Sequence, residues 1–73
     1  MALFLGIHTL KENMGGGWSG YKKACEELGC KALHSYYNTE KGVGYCITEA
    51  SSLDKAREAH EKAEVPFDDI FEV

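Results

Sequence analysis

Along the chain, apolar and polar positions fall into two rhythms. ALFLGIHTL, residues 2–10, is nearly continuous in apolar side chains and reads as a strand. KENMGGG, residues 11–17, reads as a flexible connector. Trp18, Tyr21, Cys25 and Leu28 then recur at three- and four-residue steps, which predicts a helix over 18–29 with one apolar stripe. Lys22, Lys23, Glu26 and Glu27 take its outer side, and Gly29 stops it. Cys25 belongs to the stripe and reads as core. Residues 31–39 form a second strand, Glu40-Lys41-Gly42 a tight turn, and residues 43–50 a returning third strand. Ser51-Ser52 caps a second helix over 52–64, whose stripe is Leu53, Ala56, His60 and Ala63. Pro66 closes that segment, and FDDIFEV, residues 67–73, is a final strand.

The order βαββαβ predicts an α+β, ferredoxin-like sandwich spanning 1–73 as a single domain. Right-handed crossovers give an antiparallel sheet in the order 4-1-3-2 with both helices on one face. Side chains alternate across each strand. The odd-numbered sets, such as Leu3, Leu5, Ile7 and Ile47, are the greasier, so they are expected beneath the helices. The even-numbered sets then form the open face. If Thr39 faces Val43, Tyr36 lies opposite Cys46 and His34 opposite Thr48.

That register collects His8, His34, Tyr36 and Cys46 on one surface. Two imidazoles and a thiolate suit nickel, copper or zinc, with Tyr36 as a hydrogen-bonding neighbour or weak oxygen ligand. The competing reading is an amphipathic sheet face covered by a second subunit. His60, on a helix stripe of Leu and Ala, reads first as a core histidine bonded to a backbone carbonyl. With Glu49 it forms a second rank of candidate ligands. No Ser/His/Asp arrangement is apparent. Asp68 and Asp69 are strand neighbours that point to opposite faces, so they cannot act together on one substrate. Gly15, Gly17 and Gly20 spell GxGxxG, but the third glycine falls inside a helix and the context of a dinucleotide site is missing.

Composition narrows the classes of partner. The chain has 73 residues and a formal net charge of −4, with no basic cluster beyond Lys22-Lys23. Nucleic acid and anionic membranes are therefore not expected partners. A core this small invites oligomerisation. The run ALFLGI lacks a preceding basic segment and reads as a strand instead of a signal peptide, so a cytoplasmic location is expected. Three cysteines without a CxxC argue for reduced thiols and against a disulfide framework.

Several motifs in the second half occur together. His34-Ser35-Tyr36, Tyr45-Cys46, Glu49-Ala50, Arg57-Glu58-Ala59-His60 and Val65-Pro66 follow one another over residues 33–73. This stretch resembles a family of small bacterial and archaeal ferredoxin-like proteins long described as a domain of unknown function. That family includes a nickel-binding protein from Streptomyces. The resemblance implies homodimers paired sheet to sheet, and nickel as the metal. Arg57-Glu58-Ala59-His60 departs from the family pattern by the alanine between Glu58 and His60.

The expected function is a cytoplasmic homodimer, joined through the even-numbered sheet face, that binds a divalent transition metal, nickel first, and catalyses nothing. His8, His34 and Cys46 would supply the donors. The alternative is a dimeric ferredoxin-like barrel enzyme or small-molecule binder of the monooxygenase or isomerase kind, with Trp18, Tyr45 and His60 lining its pocket. A structural dimer without a site is the third reading.

Overall fold

The computed structural model describes residues 1–73. The elements are β1 (Ala2–Thr9), α1 (Gly17–Leu28), β2 (Lys31–Asn38), β3 (Val43–Ala50), α2 (Leu53–Lys62) and β4 (Asp69–Glu72). The four strands form one antiparallel sheet in the order β2-β3-β1-β4, the ferredoxin-like order expected from the sequence. The helix ends follow local chemistry. Gly29 adopts φ +76° and its N–H closes α1 onto Cys25 and Glu26. Ser52 caps α2 by accepting from the Lys55 amide at 3.3 Å.

The glycine run before α1 is a packing feature and not a loose connector. Gly16 donates its amide to the Ala63 carbonyl at 2.8 Å. A Cβ at position 15 would stand 1.8 Å from the Glu64 carbonyl oxygen, and Gly15 also has φ +60°. The entry to α1 thus lies directly on the end of α2.

The two faces of the sheet are reversed relative to the expectation. Phe4, His8, Cys46, Thr48 and Ala50 are buried beneath the helices, whereas Leu3 and Tyr45 are exposed and Leu5, Ile7 and Ile47 are half-buried. Greasiness misleads here because both faces are apolar. Close approach decides the matter instead. Gly6 and Gly44 are buried on the even face, and the helices bring Ala24, Ala56 and Ala59 down onto it. Small residues on both sides let the layers meet. The open face is therefore the odd-numbered one, so a dimer through the even face is not compatible with this packing.

A second correction concerns β2. The pairing of β2 with β3 slips between Ala32 and His34, where Leu33 forms an irregularity. Beyond it Ser35 faces Cys46, Tyr36 faces Tyr45 and His34 faces Ile47, and Asn38 in place of Thr39 faces Val43. A one-residue slip moves every following side chain to the other face. His34 and Tyr36 consequently leave the face that carries His8 and Cys46.

Candidate metal centre

Three elements deliver three donor atoms to one point beneath the helices. β1 supplies His8, β3 supplies Cys46, and α2 supplies His60; their ligating atoms all lie within 4.8 Å of one another. The Cys46 Sγ is 3.3 Å from His8 Nε2 and 3.4 Å from His60 Nε2. All three residues are buried.

Each imidazole is oriented by its other nitrogen. His8 Nδ1 donates to the Pro66 carbonyl at 2.8 Å, and His60 Nδ1 donates to the Ala56 carbonyl at 2.8 Å. A carbonyl only accepts, so Nδ1 carries the hydrogen in both rings and each Nε2 faces the Cys46 sulfur, whose single S–H donates to one of the two at a time. Backbone carbonyls that fix tautomer and ring orientation are the usual support of metal-binding histidines. His60 is further held by ring packing, with Tyr21 at 4.3 Å, Phe67 at 5.0 Å and His8 at 5.3 Å between centroids. The Tyr21 hydroxyl is in turn hydrogen-bonded to Thr48 Oγ1.

Gly6 makes room for the cluster. It pairs with Cys46 across β1 and β3. A Cβ at position 6 would lie 2.6 Å from the Cys46 Sγ and 3.3 Å from Nε2 of both His8 and His60. The missing side chain leaves a space equidistant from the two nitrogens and bordered by the sulfur.

Burial sets the protonation of Cys46 and His60. It pushes the Cys46 thiol up to about 11, against the opposing hydrogen bonds of Gly6 and Thr48. It holds His60 down to about 4, with the Ala56 carbonyl opposing. At neutral pH Cys46 is a thiol and His60 a neutral ring. A metal ion would supply the positive charge that makes the thiolate tolerable at this buried site. Two imidazole nitrogens and one sulfur fit nickel as part of its coordination, and also fit zinc and copper.

His8 and Cys46 lie together in the cluster. His60, placed in the second rank, is its third member, and it also makes the carbonyl bond expected of a core histidine. His34 and Tyr36 are exposed on the opposite face, stacked on each other with centroids 6.0 Å apart. Glu49 pairs with Leu3 and Lys31 on that same far side. Trp18, Tyr45 and His60, named for the small-molecule alternative, all border one cleft of about 430 Å³, counting the part open to solvent. The cleft also reaches His8, Cys46, Ser35 and Tyr37. Gly6 was not singled out from the sequence. Its signal was a lone glycine inside a strand, which often marks a close approach or a ligand.

Residues 17–73 match the family model described as nickel responsive protein SCO4226-like. The chain belongs to that family. The matched segment includes Cys46 and His60 and begins after His8. A crystal structure of SCO4226 from Streptomyces coelicolor A3(2) superposes with a TM-score of 0.76 at 22% identity, covering 99% of this chain and 95% of that one. At that identity the likeness concerns the fold. No curated protein matches the chain. In this SCO4226-like chain, no helix is long and apolar enough to cross a membrane.

Proposed function

We propose that this SCO4226-like protein binds one divalent transition metal per chain, nickel first, between His8, Cys46 and His60. It does so as a homodimer and without catalysing a reaction. The observation that carries the reading is the convergence of three buried donors, two of them pre-oriented by backbone carbonyls, around the space that Gly6 leaves. The family name supports nickel over zinc or copper. Dimerisation is supported by the apolar side chains of the odd face, among them Leu3, Tyr36, Tyr45 and Phe71, all exposed in a single chain. That face lies on the far side of the sheet from the cluster, so pairing leaves the cluster intact.

Calorimetric titration of the reduced protein with nickel tests the reading. Cys46→Ser and His60→Ala are each expected to weaken binding at least about tenfold, roughly 1.4 kcal/mol. His34→Ala is expected to leave it unchanged. Equal loss in His34→Ala and His60→Ala would contradict this assignment of ligands.

A further inference from the structure

The cleft that reaches the three donors has a lining of definite chemistry. Trp18, Met14, Leu10 and Val65 line it with apolar side chains, Tyr37 borders it too, and none of the lining side chains is Lys, Arg, Asp or Glu. His8, Cys46 and His60 belong to the same lining, so the donor cluster faces the cleft as well as Gly6. A chain that only stored a metal would close such a site with a fourth protein donor, as structural metal sites do, whereas three protein ligands with an open position are the mark of a site that accepts a further ligand.

Charge selects what that ligand is. A divalent ion held by two neutral imidazoles and one thiolate keeps one unit of positive charge. Nothing in the cleft lining neutralises it, and an unpaired charge in apolar surroundings is costly. One monoanionic donor removes the excess. The sulfur already present favours a second soft donor, and the aromatic and aliphatic walls favour an apolar body behind it.

We propose that the cleft binds a small apolar thiol, whose sulfur completes the coordination of the metal held by His8, Cys46 and His60. This rests on the metal reading above. In the binding step the thiol loses its proton to solvent and its sulfur lone pair forms the bond to the metal, displacing water; no electron changes hands. Trp18, Met14 and Tyr37 hold the apolar body and select for it. The protein thereby responds to metal and thiol together, not to metal alone.

The test uses the nickel-loaded protein with benzenethiol as probe and 2-mercaptoethanol as the polar comparison. Thiolate-to-nickel absorption reports the new sulfur bond, and nickel retained after desalting reports the metal. Benzenethiol is expected to change the absorption at a concentration at least about tenfold below that needed for 2-mercaptoethanol, with nickel retained. Trp18→Ala and Tyr37→Ala are expected to raise the benzenethiol requirement about tenfold and leave nickel affinity unchanged. Tyr37 is largely exposed, so its variant keeps the fold even if loss of Trp18 does not. Equal action of the two thiols, removal of nickel by benzenethiol, or equal binding of benzenethiol to metal-free protein would overturn the proposal while leaving the metal reading standing. A changed spectrum of the loaded protein in Met14→Leu would also overturn it, by showing that Met14 fills the open position. Failure of nickel to bind at all would overturn the metal reading and this proposal with it.

Discussion

Gly6 matters through the side chain it lacks. In Gly6→Ala the new methyl would stand 2.6 Å from the Cys46 Sγ, so the sulfur or the strand must shift. Overpacking of this kind costs about 1–3 kcal/mol in urea unfolding. Nickel affinity is expected to fall at least about tenfold, because the methyl takes the space between the donors. An alanine variant with full affinity would place the metal elsewhere. His60 gives the metal-free protein a pH dependence of known sign. Its folded value, about 4, lies below the ordinary 6.5, so the unfolded chain binds more protons between those limits. Stability is therefore full above pH 6.5 and falls as pH drops toward 4, by on the order of 3 kcal/mol in all. Urea midpoints measured across that range should decline in the wild type and flatten in His60→Gln. Cys46 acts at the other end: its folded value is raised to about 11 from 9, so it favours the fold below pH 9 and ceases to do so as pH rises through 11. The grouping of His8 with Cys46 was legible from alternation alone, since both sit at even positions of paired strands. Gly6 was not, because a pattern of apolar residues does not register a residue for what it omits.

Among the elements, the glycines of α1 and its entry separate two physical roles. Gly15, with a positive φ, lies against the backbone of Ala63 and Glu64 just past the end of α2, and Gly20 lies within α1 with open space where a Cβ would stand. Gly15→Ala is expected to destabilise by more than about 2 kcal/mol, through strain and clash. Gly20→Ala should stabilise by about 1 kcal/mol, the difference in helix propensity. Similar urea midpoints for the two would show that the entry to α1 does not rest on α2. Every element was legible in the sequence to within two residues at each end, from periodicity, Gly29 and Ser52. The irregularity at Leu33 was not. Nothing in KALHSYY distinguishes an even strand from one that slips, yet that slip decides on which side of the sheet His34 and Tyr36 fall.

For the whole molecule, the sheet has one face committed to the helices and one left apolar and open. The strand order could be derived from connection rules, but the choice of face could not. An apolar character on both faces makes sense if each is covered, one by α1 and α2 and the other by the second copy proposed above. Sedimentation is expected to give about twice the chain mass at tens of micromolar, a concentration at which interfaces of moderate affinity are occupied. Ile47→Glu, on the open face, should yield a monomer that still binds nickel, because its side chain points away from Cys46. A monomeric wild type would leave the open face without its proposed cover. The central claim is that one sulfur and two imidazoles meet at a single metal, and X-ray absorption of the nickel-loaded protein tests it most directly. One protein sulfur and two imidazole rings are expected around nickel in the wild type, with the sulfur lost in Cys46→Ser. A shell of oxygen and nitrogen alone in the wild type would contradict the claim.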